Sequence, residues 1–256
     1  MSRLLFFLSA FLCVPLRFQT VFAQDARNII EEAQRRSRAP SRRNDGVLQV
    51  HDARGKTTEK RWRVHQLGSY GNSKTVLRFT APPEVKGVAL LVVNHPDRSS
   101  DQWMWTPSIA RERRIAIQDR ATRFFGTDFT FEDLEERDVG QFDWKLLGED
   151  AVDGALCWRI EGRPKEKKVS QYTSTLLWIR RDNYVGVRYE NYKKDQLVRR
   201  LHLSDLERIQ GIWTPRRWEM SDVARNSRTI LRTENLQYNV PLKDEDFTLQ
   251  ALRREQ

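Results

Sequence analysis

Short runs of β-branched and aromatic residues follow one another through most of this chain, and turn-forming residues separate them. A pair such as Asp153-Gly154 is typical of a tight turn. Within one run Leu77 and Phe79 alternate with a basic and a polar residue, which indicates a strand with one face on a core. Short, closely spaced strands without long helices between them favour an antiparallel sheet and argue against a doubly wound parallel fold.

The sequence predicts few elements outside this sheet. An amphipathic helix is expected from Asp25, followed by an exposed arginine-rich connection over residues 35–43 and by strands from Gly46 onward. Residues 88–93 are continuously apolar, which predicts a strand covered on both faces, on one of them by the first helix. Residues 118–140 interrupt the strands and predict a loop or short helical lid that begins with a capping box from Thr130 to Asp133. Beyond residue 144 the predicted strands span 145–148, 155–161, 173–180, 184–192, 196–203, 211–220 and 228–240.

Residues 1–23 have the organisation of a secretory signal peptide, with Arg3, an apolar run and then Ala23 at the cleavage position. Cleavage before Gln24 leaves residues 24–256 as one exported domain. No apolar run reaches the roughly 18 residues that a spanning helix needs. Cys13 lies in this leader, so Cys157 is expected to be alone in the mature chain and no disulfide framework is predicted.

The charge balance limits the classes of molecule that the protein is expected to bind. The chain has 45 Lys and Arg against 35 Asp and Glu, a formal net charge of +10. Such a balance often indicates a nucleic-acid partner, but export removes that partner. Anionic lipid headgroups, acidic glycans, an acidic protein face and a merely solvated basic surface remain as interpretations.

Common catalytic signatures do not occur in the sequence. It has no His-Glu-x-x-His, Cys-x-x-Cys, Gly-x-Ser-x-Gly or Gly-x-Gly-x-x-Gly motif. The four histidines lie far apart in sequence, and Cys157 has the surroundings of a small core residue. A carboxylate cluster over residues 128–136 has two interpretations, a helix-capping and salt-bridged segment or the acid pair of a hydrolase. We expect no catalytic residue, no metal and no cofactor.

Aromatic residues are concentrated between residues 103 and 131. They have two interpretations, a packed core or the lining of an apolar cavity beneath a lid. The candidate cavity and lid residues are Phe79, Trp103, Trp105, Phe124, Phe125, Phe129 and Phe131. The candidate contacts to an anionic headgroup or a partner are Arg111, Arg113, Arg114 and Arg123. The candidate residues of the lid turn and its cap are Gly126, Thr127, Asp128 and Thr130.

Three sequence blocks resemble the LolA-like outer-membrane lipoprotein-sorting proteins. They are Pro-Pro-Glu-Val-Lys-Gly at residues 82–87, the segment from Trp103 to Pro107 that leads to residues 113–115, and the block from residue 125 to residue 134. The third block is the most specific, and Phe125, Thr127 and Phe131 stand there where the family usually has Met, Ser and Tyr. These exchanges keep the apolar or hydroxyl character of each position.

The resemblance implies a mainly β (α+β) fold, a half-open antiparallel β-barrel of about 10–11 strands with an N-terminal helix and a short helical lid on its concave face. It also implies a periplasmic location and a hydrophobic cavity that carries lipid or the acyl chains of lipoproteins. The implied partners are an inner-membrane exporter of the resistance-nodulation-division (RND) type or an outer-membrane acceptor, with transient membrane contact and a monomeric state.

Two other functions stay open at this point. One is a non-catalytic interaction module that docks onto an envelope exporter or an anionic membrane through its arginine-rich surface. The other is an envelope hydrolase that uses the carboxylate cluster. A carrier differs from both because it must release what it binds. Each buried methylene group of an acyl chain contributes about 0.8 kcal/mol to binding, so a fully packed site would hold the chain too tightly. We therefore expect a loosely packed cavity that the lid partly fills when no ligand is bound.

Overall fold

The computed structural model describes residues 16–166 and 168–254, and for residues 16–25 the backbone alone. Two α-helices, α1 (Leu16–Ser37) and α2 (Leu249–Arg253), accompany one sheet. Its thirteen strands are β1 (Ser41–His51), β2 (Thr57–Gly68), β3 (Ser73–Ala81), β4 (Ala89–Val93), β5 (Asp101–Thr106), β6 (Arg111–Arg114), β7 (Phe142–Val152), β8 (Ala155–Pro164), β9 (Ser174–Arg180), β10 (Gly186–Lys193), β11 (Gln196–Ile209), β12 (Ile212–Asp222) and β13 (Ser227–Tyr238).

The sheet is open and antiparallel throughout. Its order is β6-β5-β4-β3-β2-β1-β13-β12-β11-β10-β9-β8-β7. Strands β1 to β6 form one meander, strands β7 to β13 form a second, and the pairing of β1 with β13 joins them. Because β6 and β7 lie at opposite edges, the connection between them, residues 115–141, has to travel from one edge of the sheet to the other. We call these residues the crossing segment.

Strand register separates an inner face from an outer face. Val64, Leu77 and Leu90 are paired neighbours on the inner face. On the outer face Leu91 lies between Val76 and Trp103. The continuously apolar strand is confirmed as β4, which is buried on both faces.

The helix that covers the outer face of β4 is not the predicted one. Phe247 and Leu252, from the C-terminal turn and α2, pack on this face. Helix α1 instead places Ala26 and Ile30 against Trp144 and its neighbours on β7 to β9. The short C-terminal helix was not predicted, because five residues are too few to show a helical period.

Helix α1 also begins earlier than predicted. Asp25 lies inside it rather than at its start, since the helix runs from Leu16. Residues 1–15 lie outside the described part of the chain, so the signal peptide and the cleavage before Gln24 remain predictions.

The first strand begins at Ser41 rather than at Gly46. The residues Asn44-Asp45-Gly46, which were interpreted as a turn, lie within β1 at a register irregularity between Arg43 and Asp45. Gly46 is required there for another reason, because an added Cβ atom would lie 2.0 Å from Trp62 Nε1. The predicted exposed connection is accordingly limited to the residues between Ser37 and Ser41, and even there Ala39 is buried.

The sheet has thirteen strands, more than the predicted 10–11. Strand β6 (Arg111–Arg114) has no apolar residue, so the alternation of hydrophobicity that predicts a strand is missing there. Backbone pairing with β5 alone defines this edge strand.

We predict that Gly46→Ala lowers the free energy of unfolding by about 1–3 kcal/mol, the usual cost of overpacking a filled site. The added methyl group would overlap Trp62 and come within 2.9 Å of Leu231 Cδ1. Urea denaturation of the wild type, Gly46→Ala, Trp62→Leu and the double variant measures the coupling. Gly46→Ala should lower the free energy of unfolding less when residue 62 is leucine. An equal decrease in both backgrounds would contradict the close packing of Gly46 against Trp62.

Candidate functional site

A cavity of about 730 Å³ lies on the inner face of the sheet. This volume is within the roughly 300–1,000 Å³ range of ligand-binding pockets. Residues of α1 and of the crossing segment lie over the cavity and complete its walls. The apolar wall residues include Val64, Leu77, Leu90, Val92, Leu177, Ile179, Leu201, Leu203, Trp218, Met220 and Leu231.

The wall is built by alternation along many strands. Leu201 is paired with Tyr189 on one neighbouring strand and with Met220 on the other, and all three residues line the cavity. A wide curved sheet encloses more space than medium-sized aliphatic side chains can fill. An unfilled apolar volume is therefore left between the sheet and its covers.

The aromatic residues beside this cavity form a packed plug. We give the name aromatic plug to Trp62, Phe79, Phe124, Phe125 and Phe131. The Phe124 ring is fully buried and stacks on Phe79 with centroids 5.4 Å apart. It also meets Phe125 and Phe131 edge to face, at 5.1 and 5.4 Å. Phe79, Phe124, Phe125 and Phe131 thus fill space instead of lining it, as the core interpretation of these residues predicted.

Phe129 and Trp62 are the aromatic residues of this region that border the cavity. Phe129 was predicted at this place, whereas Trp62 was missed. Its position on β2, two residues before the inner-face residue Val64, is the signal that identifies it.

Trp103 and Trp105 lie elsewhere, which corrects their predicted place in the cavity. Both are on the outer face of β5 and pack in the cluster of Phe247 and Leu252. Successive side chains of a strand point to opposite faces of the sheet. Since Met104 lies on the inner face, Trp103 and Trp105 on either side of it lie on the outer face.

Asp128 anchors the crossing segment to the second meander. Its fully buried carboxylate accepts hydrogen bonds from Ser227 Oγ at 2.5 Å and from Thr229 Oγ1 at 2.7 Å. Arg123 Nη2 approaches the same carboxylate at 3.0 Å, and Arg199 Nη1 donates to the Asp128 carbonyl at 2.5 Å. Arg123 therefore points into the structure and not toward a headgroup at the surface.

The residues before Asp128 form a tight turn. Phe125 and Gly126 both have left-handed backbones, with φ of 47° and 74°. Arg123 closes this turn by donating to the carbonyls of Gly126 and Thr127, at 2.7 Å each. The buried Thr127 hydroxyl donates to the carbonyl of Phe124 at 2.7 Å. Gly126 and Thr127 thus form a tight turn that these contacts hold in place.

The predicted capping box from Thr130 to Asp133 is present. Asp133 Oδ2 accepts from the Thr130 backbone N–H at 2.8 Å, and the Asp133 N–H donates back to Thr130 Oγ1 at 3.3 Å. The element that follows is a single 3₁₀ turn, Glu132–Leu134, which is shorter than a helical lid.

Two further carboxylates of the crossing segment, those of Glu132 and Glu135, bind protein donors. Glu135 receives Arg120 Nη1 at 2.9 Å, Lys168 Nζ at 2.6 Å and Gln102 Nε2 at 3.0 Å. Glu132 receives the Ser170 hydroxyl, and its pKa is raised by burial. These contacts match the salt-bridged interpretation of the cluster and leave no open acid pair at Glu132 and Glu135.

Glu136 ties the segment to the first meander. Its carboxylate accepts from Gln66 Nε2 at 2.6 Å, from the Tyr70 backbone N–H at 2.7 Å and from Ser73 Oγ at 2.5 Å. Next to it, Arg137 Nη2 donates to Asn191 of β10 at 3.0 Å. The crossing segment is consequently bonded to both halves of the sheet.

The other predicted basic residues lie on the edge strand β6. Arg111 and Arg113 are exposed, whereas Arg114 is bound to Asp101 at 2.5 Å and lies over the Trp103 ring. Burial raises the pKa of Asp101, but hydrogen bonds from Arg98, Arg114 and His95 outweigh it and hold that pKa well below its usual range.

Within residues 16–166 and 168–254, no group of three or more His, Cys, Asp and Glu side chains is arranged to hold a metal ion. In the same ranges, no helix combines the length and the apolar character needed to cross a membrane. Cys157 is fully buried beside Trp178 and Val187, and burial raises the pKa of its thiol, as expected of a core residue.

We predict that Phe124→Ala lowers the free energy of unfolding by about 3–5 kcal/mol, because it removes the central ring of a filled cluster. Phe125→Ala, at a half-buried ring of the same plug, is the matched comparison and should cost less. Urea denaturation measures both. A loss below about 1 kcal/mol for Phe124→Ala would mean that the rings are loosely arranged around a void.

A second prediction concerns the pH dependence at Asp101. The native pKa of this carboxyl lies below its unfolded value near 3.9, so the stabilisation is complete above that value and is lost as the pH falls through the native pKa. Asp101→Asn should lower the free energy of unfolding by about 1–3 kcal/mol at pH 7. The difference from wild type should narrow below about pH 4. Asp97→Asn, at an exposed neighbour, is the control, and a difference that stays constant down to pH 3 would contradict the ion-pair origin.

The chain is similar in sequence and in structure to known proteins. A family model described as "Uncharacterized protein" matches residues 71–254, well over half of the chain. The crystal structure of a DUF1329 family protein from Desulfovibrio piger is similar, with 27% identity and a TM-score of 0.86 over 90% of this chain and 99% of that one. None of the curated proteins matches the sequence.

Two further crystal structures share the fold. One is an outer membrane lipoprotein-sorting protein domain from Vibrio parahaemolyticus, with 23% identity and a TM-score of 0.86 over 91% of this chain and all of that one. The other is a LolA superfamily protein from Nitrosomonas europaea, with 20% identity and a TM-score of 0.70 over 88% of this chain and 98% of that one. These two structures confirm the resemblance to the LolA-like proteins at the level of the fold, and the family match shows that the chain belongs to the family of the DUF1329 proteins.

Proposed function

We propose that this protein is a periplasmic carrier that binds a lipid, or the acyl chains of a lipoprotein, in the cavity on the inner face of the sheet. The observation that carries the proposal is the unfilled volume of about 730 Å³ with aliphatic walls. Related structures described as a lipoprotein-sorting domain and a LolA superfamily protein support it. The proposed cargo moves between inner-membrane and outer-membrane components.

The energetics of the cavity suit a carrier. Each buried methylene contributes about 0.8 kcal/mol, so a chain of a dozen carbons gains on the order of 10 kcal/mol before the costs of binding. The crossing segment is held by buried carboxylates on both sides. Helix α1 covers the cavity with smaller apolar side chains, Ile30 and Ala33 among them. In this proposal the curved sheet acts as a half-open barrel, and ligand enters beside α1 while the crossing segment stays in place.

The same proposal includes the cell compartment and the partners. Residues 1–23 would direct export, and the mature chain would act as a monomer without catalytic residues or cofactors. Arg111 and Arg113, exposed on the edge strand β6, offer a basic surface to an RND-type exporter, an outer-membrane acceptor or an anionic membrane. That surface also supports the alternative of an interaction module that docks without carrying lipid.

We predict that Leu201→Trp weakens the binding of a fluorescent fatty acid at least tenfold. Leu201 is a half-buried wall residue of the cavity, and an indole in its place occupies volume that the acyl chain needs. Leu156→Trp, at an exposed position outside the cavity, is the matched control and should bind as the wild type does. Titration followed by fluorescence measures the affinity, and thermal unfolding checks that both variants are folded.

Two results would contradict the carrier. One is a wild type that binds no fatty acid, and the other is an equal loss in both tryptophan variants. Binding only to anionic vesicles, with an affinity that falls steeply as salt is added, would favour the docking module instead.

A further inference from the structure

One end of the cavity is polar, and two arginines there have no acidic partner. Arg42 of β1 and Arg137 of the crossing segment both line the cavity. In the described chain, no carboxylate lies within ion-pair distance of either guanidinium, whereas Arg120, Arg123 and Arg199 each have one. Both side chains are partly buried, so neither charge is fully solvated. A cation in such surroundings favours an anionic ligand.

Hydrogen-bonding capacity at this end is also unused. Arg137 donates from Nη2 to Asn191, but its Nη1 is buried without an acceptor, as is Arg42 Nε. Gln66 is 4% exposed, and its Oε1 has no donor. Buried polar atoms without a partner are rare in folded proteins and call for a ligand or an ordered water.

Two tyrosines lie at the same end of the cavity. The Arg137 guanidinium lies over the Tyr189 ring at 5.8 Å from its centroid. The Tyr70 hydroxyl is bonded to Ser37 Oγ at 2.7 Å. The Tyr70 backbone N–H donates to Glu136, and Gln66, the strand partner of Arg42, donates to the same carboxylate, which places Arg42, Tyr70 and Glu136 at one end of the cavity. The Tyr189 hydroxyl occupies the space that a Cβ atom on Gly186 would take, at 2.0 Å, and makes no hydrogen bond in the described chain.

The nearby acid does not neutralise these arginines. Both oxygens of Glu136 are occupied by Gln66, by the Tyr70 N–H and by Ser73, as described above. The other carboxylates that line the cavity, Asp133, Glu135 and Asp182, are bonded to Arg199, Arg120 and Arg180, so no described carboxylate of the cavity is paired with Arg42 or Arg137. Aliphatic residues such as Leu77, Leu90 and Leu201 line the same cavity, so it offers both unpaired positive charge and apolar surface, as an anionic amphiphile requires.

We infer that Arg42, Tyr70, Arg137 and Tyr189 form a headgroup subsite inside the cavity, which takes the anionic oxygen group of an amphiphile while its apolar chain lies along the inner face. The inference rests on the proposed function and adds the class of ligand and its orientation. The headgroup is buried at the polar end, and the exposed arginines of β6 do not hold it. A carboxylate and a phosphate share the required chemistry.

Calorimetric titration of the whole protein with laurate and with 1-dodecanol tests this inference. The two probes share one chain length and differ in headgroup charge. Laurate should bind at least tenfold more tightly, the usual value of charge-assisted hydrogen bonds. Arg137→Met should reduce laurate affinity about tenfold and leave dodecanol affinity unchanged, with Arg42→Met acting in the same direction. Arg54→Met, on an exposed turn, is the control and should change neither.

A more conservative variant tests the subsite even if an Arg→Met variant fails to fold. Tyr189→Phe removes only the hydroxyl and should weaken laurate binding by a few-fold without affecting dodecanol. Equal affinities for the two probes in the wild type would overturn the headgroup subsite and leave the carrier intact. Binding of neither probe would overturn the carrier as well.

Inorganic phosphate separates the two sources of an anion. Phosphate that competes weakly with laurate, and no longer competes in Arg137→Met, would support a site that reads the anionic group itself. If phosphate binds as tightly as laurate, the dodecyl chain of laurate contributes nothing to the affinity. That result would contradict an amphiphile as the ligand.

Discussion

The fold depends on the route of one connection. Strands β6 and β7 close the two meanders at opposite edges of the sheet, so the chain between them crosses the whole inner face. A polar connection over an apolar face needs fixed partners for its buried groups. Asp128, Glu135 and Glu136 supply them, because each of these carboxylates gathers three or more donors from protein groups around it.

This arrangement separates two roles that are close together in sequence. The aromatic rings and the carboxylates of the crossing segment hold the structure together, while the aliphatic wall behind them encloses the empty volume. A segment with so many buried bonds is suited to be a fixed brace. The looser cover is α1, whose apolar contacts to the sheet are made by small and medium side chains. Ligand exchange in this account leaves the brace intact and disturbs the contacts of α1.

The sequence predicted the antiparallel sheet well, because alternation and turn residues mark strands such as β9 and β12 directly. It also predicted the capping box at Thr130, since that pattern is local. It could not place Trp103 and Trp105, because the choice between two faces depends on the register with β4. The polar end of the cavity was beyond sequence reasoning, since Arg42, Arg137 and Tyr189 come together only through the long crossing.

The most direct test of the account is where a ligand lies. A fatty acid with a nitroxide on its chain, added to protein with isotope-labelled leucine methyl groups, broadens the NMR signals of nearby residues. We expect broadening at Leu77, Leu90 and Leu201 on the inner face, and unchanged signals at Leu91 and Leu252 on the outer face. Broadening on the outer face, or no broadening of the inner leucines at saturating ligand, would contradict it.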